Sequence, residues 1–220
     1  MRYALGIEYD GSDYLGWQRL SEGSTVQAAV EQALSFVAHH PVQVVCSGRT
    51  DAGVHARCQV IHFDSEAVRT DRAWILGTNT KLPRDIRVLW CKEMPDDFHA
   101  RYSARARRYR YTILNRNIPP AMQRHFLSWE RLPLDADAMH DAAQALVGRH
   151  DFTTFRDSNC QADTPVKTLK MISVMRRGGE VVVETTARSF LHRQVRSMVG
   201  SLVEVGRGKE AGEEDPFPDP

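Results

Sequence analysis

Apolar and polar residues alternate in several short stretches of this chain and recur with helical spacing in others. Alternating or β-branched runs predict strands at residues 3–9, 42–45, 59–63, 86–90, 107–114, 166–175 and 181–186. Apolar residues three and four apart predict helices at residues 25–39, 71–79, 134–147 and 190–205. Ser24 with Gln27 resembles a capping box for the first helix, and Thr70 is placed to cap the second. Strands and helices mixed in this way predict an α+β fold with helices on one face of a sheet.

A break at residues 95–98 marks a position where a first half of the chain could end. A chain of 220 residues can form one domain or two small halves, each with its own core. We predict an N-terminal half over residues 1–103 and a C-terminal half over residues 104–206. Residues 207–220 are acidic and rich in proline, so we predict a disordered tail.

The cysteines and the apolar runs exclude several classes of protein. The gaps between Cys46, Cys58, Cys91 and Cys160 fit no zinc motif, so we predict free thiols in a reducing compartment. No apolar run is long enough to span a bilayer, and the first residues do not resemble a signal sequence. We therefore expect a cytoplasmic protein without a membrane partner.

Positive charge is concentrated in one stretch although the net charge is only +1. Most basic residues are arginine, which binds phosphate in a fork and stacks on bases. Between His99 and Asn117 the sequence has no acidic residue and six arginines: Arg101, Arg105, Arg107, Arg108, Arg110 and Arg116. This clustering favours contact with RNA phosphates. The alternative is an exposed edge strand whose charge prevents aggregation.

A loop rich in glycine and small polar residues separates the predicted strands 42–45 and 59–63. It carries Arg49 and Asp51 within Cys46-Ser47-Gly48-Arg49-Thr50-Asp51-Ala52-Gly53-Val54-His55-Ala56. A guanidinium beside a carboxylate keeps it ionised and oriented, as a nucleophile or base requires. On spacing alone, a tight turn with a surface ion pair is the better interpretation. We interpret His55, His62 and His192 as packing or hydrogen-bonding residues.

Several motifs together resemble the TruA family of tRNA pseudouridine synthases. The segment from Gly48 to Ala56 is similar to the signature of that family. Further similar motifs follow in the same order as in the family: Tyr9-Asp10-Gly11-Ser12, Gly16-Trp17-Gln18, Leu82-Pro83-Arg84-Asp85-Ile86, Phe98-His99-Ala100-Arg101, Arg108-Tyr109-Arg110-Tyr111, His150-Asp151-Phe152, and Phe190-Leu191-His192 with Val195-Arg196-Ser197-Met198-Val199-Gly200. Collinear motifs are more specific than any single one.

The resemblance implies a fold and a reaction. The implied fold is two ferredoxin-like, RRM-like halves that share one antiparallel sheet, with a basic cleft between them. The implied reaction converts uridine to pseudouridine at positions 38, 39 or 40 of the anticodon stem-loop, with base flipping and without a metal or other cofactor. The implied assembly is a homodimer that binds tRNA.

The resemblance also implies roles for individual residues. Asp51 matches the nucleophile, and Arg196 matches an arginine that pairs with it. Arg49 matches an arginine that takes the space of the flipped base and contacts the backbone. Tyr109 matches a tyrosine that stacks on uracil, although Tyr111 has the same strand parity and spacing alone does not distinguish them. Arg101, Arg105, Arg107, Arg108 and Arg110 are the expected phosphate contacts.

The sequence departs from the family near its end, where another helix and a closing strand are expected. That departure suggests one alternative, a catalytically impaired relative that binds RNA. A second alternative is a hydrolase or transferase that uses Asp51 with a histidine on a small substrate. The presence of Asp51, Arg49, Tyr109 and Arg196 disfavours the first alternative, and the arginine-rich stretch disfavours the second.

Overall fold

The computed structural model describes residues 1–158, 160 and 162–208. It divides the chain into two units, Met1–Ala104 and a second unit that begins at Arg105. The elements of the first unit are β1 (Arg2–Tyr9), α1 (Val26–Ala38), β2 (Val45–Cys46), β3 (Ala56–Asp64), α2 (Asp71–Lys81) and β4 (Ile86–Met94). Those of the second are β5 (Arg107–Asn115), β6 (Ser128–Glu130), α3 (Ala136–Gln144), β7 (Gly148–Asp151), a 3-10 turn (Thr153–Phe155), β8 (Val166–Arg177), β9 (Glu180–Ala187) and α4 (Gln194–Arg207).

The first unit is a four-stranded antiparallel sheet with two helices packed on each other. Its strand order is β2-β3-β1-β4, so β1 is central and pairs with β3 and β4. The element order β-α-β-β-α-β is the order of ferredoxin-like domains. The core joins Leu5 and Ile61 of the sheet to Leu34 of α1 and Trp74 of α2, and all four are buried.

Helix α1 begins one residue later than the predicted capping box requires. Its N-cap is Thr25, whose hydroxyl accepts a hydrogen bond from Ala28 N at 3.4 Å. The carbonyl of Ser24 instead accepts from Leu15 N, and the side chain of Gln27 accepts from Arg19 N. Contacts with the preceding loop therefore replace the local capping pattern.

The second unit has a separate five-stranded sheet in the order β6-β5-β9-β8-β7. The expectation of one shared sheet is wrong, because the described strands form two sheets. The expectation of a purely antiparallel sheet is also wrong, because β6 runs parallel to β5. Strands β6 and β7 are too short to show periodicity and are set by their partners β5 and β8, so the sequence pattern did not predict them.

Helices α3 and α4 close the core of the second unit. Met139 of α3 and Met198 of α4 are fully buried, and a Cβ at Gly206 would lie 2.6 Å from Met139 Sδ. Helix α4 begins at Gln194, later than predicted, because Arg193 has the left-handed φ of 58°. It continues through Arg207, which pairs with Glu130 and Glu204. The remainder of the predicted disordered tail, residues 209–220, lies outside the described residues.

These elements confirm the predicted α+β class. The ferredoxin-like assignment of each half stays a prediction. Within residues 1–158, 160 and 162–208, no helix has the length and apolar character needed to cross a bilayer.

Truncation of Leu34 tests the core of the first unit. We expect Leu34→Ala to lower the free energy of unfolding by about 2–5 kcal/mol, because a fully buried leucine leaves a cavity. Leu76→Ala in α2 makes the same replacement at a side chain that is 50% exposed, and should cost far less. Urea unfolding of the full chain measures both variants. Equal losses would contradict this assignment of the core.

Candidate functional site

The loop that carries Asp51 joins β2 to β3 and is attached to β3 at its start. We name residues 47–55 the Asp51 loop. Ser47 N donates to Val60 O at 2.8 Å, and Ser47 Oγ donates to Gln59 Oε1 at 2.6 Å. The side-chain amide of the buried Gln59 donates to the carbonyl of Gly48. The buried side chain of Gln59 on β3 therefore holds the first turn of the loop.

A second segment, residues 10–18, follows β1 in the sequence and forms backbone hydrogen bonds with the Asp51 loop. We name it the bracing segment. Trp17 N donates to Thr50 O at 3.0 Å, and Gly53 N donates to Tyr14 O at 3.4 Å. The hydroxyls of Tyr9 and Thr50 lie 2.7 Å apart. Because these bonds flank Asp51 on both sides, they define the path of its backbone.

Two glycines of the bracing segment allow this close approach. A Cβ at Gly11 would lie 2.1 Å from the carbonyl oxygen of Val54, well inside any allowed contact. Gly16 has φ of +99°, and a Cβ there would lie 2.8 Å from Thr50 O. The glycines in this motif are therefore explained by contact between two backbones.

His55 ends the loop in a polar cluster with the bracing segment. Its Nδ1 lies 3.0 Å from both Gly11 N and Asp10 Oδ1. Burial is the largest influence on Asp10 and raises its pKa, but hydrogen bonds from Ser12 and the nearby His55 hold that pKa below the ordinary value. These bonds give His55 a structural role, as the sequence predicted.

The loop presents Asp51 and Arg49 differently. Asp51 is half-buried, and its carbonyl accepts from Val54 N at 3.1 Å in a turn that contains Gly53. Arg49 is exposed. The loop thus places a partly shielded carboxylate beside an arginine that can reach outward, which suits a carboxylate that acts on a bound ligand.

The second unit separates the two tyrosines that strand parity could not distinguish. The hydroxyls of Tyr111 and Ser128 lie 2.7 Å apart, and the Tyr111 ring packs against the core. The Tyr109 ring instead meets Phe190 edge to face, with centroids 5.2 Å apart. Tyr109 therefore lies next to the Phe190 motif, and Tyr111 serves the link between β5 and β6.

Arg196 lies on the exposed side of α4, one turn before Val199 and Gly200. It lines a groove of about 260 Å³ with residues of β5, β6 and α4: Tyr111, Ile113, Ser128, Trp129, Glu130, Val199, Gly200, Val203, Glu204 and Arg207. Met198 and Val199 face the core, so Arg196 is not buried among them. Burial within this unit therefore gives no reason to expect a carboxylate partner for Arg196.

Two of the predicted phosphate-binding arginines have an acidic neighbour on the paired strand β9. Arg108 and Arg110 both bind the carboxylate of Glu184, which lies opposite Arg110 on β9. Hydrogen bonds from the two guanidiniums keep the pKa of Glu184 below its ordinary value despite burial. Arg107 donates to the carbonyl of Arg188, and Arg101 and Arg105 are exposed.

Glu184 was missed although the sequence contains a signal for it. Glu184 directly follows the apolar run Val181–Val183 and precedes the buried Thr185, so it is an acid in a buried stretch of β9. A carboxylate at such a position is costly unless it is paired, so it indicates a cationic partner on a neighbouring strand. The bracing role of residues 10–18 was also missed, because backbone contacts have no sequence signature.

The two other histidines considered above, and the cysteines, have the following surroundings. His62 accepts from Ala100 N at 3.1 Å and is buried, which lowers its pKa. His192 Nδ1 lies 3.2 Å from Asp157 Oδ1. All four cysteines are free thiols, and burial raises the pKa of Cys46. Among the described residues, no group of three or more metal-ligating side chains could hold an ion.

Comparison with known proteins assigns relatives to this chain. A family model described as tRNA pseudouridine synthase matches residues 6–103 and 142–214. The chain is 60% identical over 212 residues to tRNA pseudouridine synthase A of Xanthomonas axonopodis pv. citri (strain 306), which covers 96% of this chain and 82% of the relative. It is 58% identical over 211 residues to the protein of the same name from Stenotrophomonas maltophilia (strain K279a), with the same coverage. The residues matched by the family model lie in both units and include the Asp51 loop and the bracing segment.

The pairing of Glu184 with two arginines predicts a pH-dependent stability. A carboxyl whose pKa is lowered by folding stabilises the protein above its unfolded pKa, and this contribution is lost as pH falls through the folded value. We expect Glu184→Gln to be less stable than the native chain at pH 7, and the difference to shrink below about pH 4, where free glutamate protonates. Urea midpoints from pH 7 to pH 3 measure this.

The matched control is Glu180→Gln, which makes the same replacement at the first residue of the same strand. A difference between native and Glu184→Gln chains that stays constant with pH would contradict the ionic pairing.

Proposed function

Because the chain belongs to the tRNA pseudouridine synthase A family, we propose that it isomerises uridines 38, 39 or 40 in the anticodon stem-loop of tRNA. It is a tRNA pseudouridine synthase, an isomerase that acts on tRNA. The observation that carries the proposal is the identity of 58–60% over 96% of the chain with proteins of that name.

The proposed reaction exchanges one bond of the uridine for another. The bond between N1 of uracil and C1′ of ribose breaks, the detached uracil turns, and C5 bonds to C1′. The proton on C5 is lost to solvent and N1 gains a proton, so the isomerisation needs no oxidant or reductant. A target base stacked in a stem must first leave the stack, at a cost of a few kcal/mol.

We assign the chemical roles by motif. Asp51 is the nucleophile, and Arg196 balances the charge of the carboxylate. Tyr109 stacks on uracil and assists transfer of the C5 proton. Arg49 occupies the space that the flipped base leaves and contacts the RNA backbone.

The surroundings of Asp51 support its assignment. A nucleophile must stay in position while the substrate moves, which requires a rigid first contact shell. The bracing segment bonds to Thr50, the residue before Asp51, and to Gly53, two residues after it. Gln59 supports the start of the same loop. The carboxylate is also only partly exposed, which strengthens its interactions with substrate.

The partner and the setting follow from the same proposal. Arg101, Arg105 and Arg107 contact tRNA phosphates, together with Arg108 and Arg110 after these two exchange Glu184 for the RNA. The enzyme acts as a homodimer in the cytoplasm, where tRNA is modified. The alternative of an RNA-binding relative without catalysis is not favoured, because the four residues with proposed chemical roles are all present.

Replacement of the nucleophile tests the proposal directly. With unmodified tRNA that carries tritium at C5 of uridine, we expect Asp51→Asn to release tritium at least about 10³-fold more slowly than the native chain. Binding of tRNA should persist, because asparagine keeps the size of the side chain. Filter binding and tritium release measure the two properties on the same preparation.

Asp141→Asn is the matched control, since Asp141 is exposed on α3. It should release tritium at the native rate. Equal rates for Asp51→Asn and Asp141→Asn would remove Asp51 from the reaction, and tRNA binding without release by the native chain would support the non-catalytic alternative.

Removal of single hydroxyl groups tests the choice of tyrosine. We expect Tyr109→Phe to slow tritium release by about 10²- to 10⁴-fold with little change in tRNA affinity, because a proton-transfer group is lost and the ring is kept. Tyr111→Phe loses only the bond to Ser128 and should retain the native rate with slightly lower stability. The opposite order of rates would reassign the role to Tyr111.

A further inference from the structure

A cationic groove lies in the second unit, outside the residues assigned above. Its volume is about 400 Å³. Strands β7 and β8 and the segment after β9 line it with Arg149, Thr164, Val166, Lys167, Thr168, Lys170, Arg188 and Ser189. Four of these eight residues are cationic and none is acidic. We name Arg149, Lys167, Lys170 and Arg188 the groove cations.

No carboxylate neutralises the groove cations among the residues that the structure describes. The arginines that form ion pairs in the described part of the chain are others, chiefly Arg108, Arg110 and Arg207. Asp151 is near in the sheet because it pairs with Val166, but its carboxylate accepts from the amide and hydroxyl of Thr153. The groove therefore keeps a local positive charge of about four, whereas the charges of Arg108 and Arg110 are partly cancelled by Glu184.

Neutral backbone groups hold the two lysines of the groove in place. Lys167 Nζ donates to Thr164 O at 3.0 Å, and Lys170 Nζ donates to Arg105 O at 3.3 Å. An ammonium group has three donors, so each lysine keeps donors for a ligand. Carbonyl oxygens position these groups without cancelling their charge.

The groove is continuous with the start of β5. Lys170 contacts the carbonyl of Arg105, and Arg107 donates to the carbonyl of Arg188. Arg105 thus contacts the groove through its own carbonyl, and Arg107 contacts it through the carbonyl of Arg188. An extended polyanion that lies along Arg105 and Arg107 would meet the groove cations next.

We propose that Arg149, Lys167, Lys170 and Arg188 form a docking groove for the phosphodiester backbone of the substrate RNA. The proposal rests on the proposed function, and it adds residues from three parts of the second unit to the RNA-contacting surface. Forked guanidiniums and multi-donor ammonium groups suit the oxygens of successive phosphates. The groove contacts backbone and not the reacting base, so it contributes to affinity and not to the chemical step.

A fourfold variant tests the groove: Arg149→Gln, Lys167→Gln, Lys170→Gln and Arg188→Gln in the full chain. The matched control removes the same charge from exposed positions elsewhere, with Arg72→Gln, Lys92→Gln, Arg131→Gln and Arg177→Gln. We measure the Kd for unmodified tRNA at several salt concentrations, and the single-turnover rate of tritium release at saturating tRNA. Circular dichroism and urea unfolding check that both variants fold.

We expect the groove variant to bind tRNA at least about tenfold more weakly than the control. The slope of log Kd against log salt should fall by about three, since each of the four lost phosphate contacts removes about 0.7–0.9. The rate at saturation should equal that of the control. A groove variant with the affinity and salt slope of the control would overturn the proposal, and so would a folded variant whose loss is confined to the saturated rate.

These outcomes are separate from those of the proposed function. A native chain that binds tRNA without tritium release would refute the isomerase proposal, and the binding comparison would still test the groove. A control-like groove variant with full activity would refute the groove alone.

Discussion

Contact between two backbones at the Asp51 loop is the constraint on which the functional part of this protein depends. Trp17 N and Tyr14 O bond to the residues on either side of Asp51. Such contacts need close approach, and glycine at positions 11 and 16 permits it, because any Cβ there would overlap the loop. A carboxylate on an exposed turn would be free to move, whereas this one is attached to the core through the buried Trp17.

The two units use charge in different ways. In the first unit the polar groups near the candidate nucleophile are hydrogen-bonded, with Asp10, His55 and Gln59 each committed to the loop or its brace. In the second unit Glu184 binds two arginines of β5, while no carboxylate of the described residues forms an ion pair with the groove cations. Paired cations stabilise the sheet, and unpaired ones attract a polyanion. A near-neutral net charge therefore coexists with a strongly cationic surface.

The sequence anticipated much of the fold because its helices and long strands have clear periodicity. Strand β5 and helix α1 fall within a residue or two of their predicted limits. The short strands β6 and β7 were not anticipated, and one shared sheet was expected where the described strands form two. Strand pairing joins residues that are distant in sequence, such as Arg110 and Glu184, so local patterns carry little information about it.

The sequence by itself determined the family, the α+β class and the candidate residues, since each depends on residue type and local spacing. Tertiary structure alone decided which backbone braces the Asp51 loop, which tyrosine hydroxyl is bonded to Ser128, and which arginines are paired with a carboxylate. Those three outcomes depend on distances between groups that are far apart along the chain, and such distances exist only once the chain has folded.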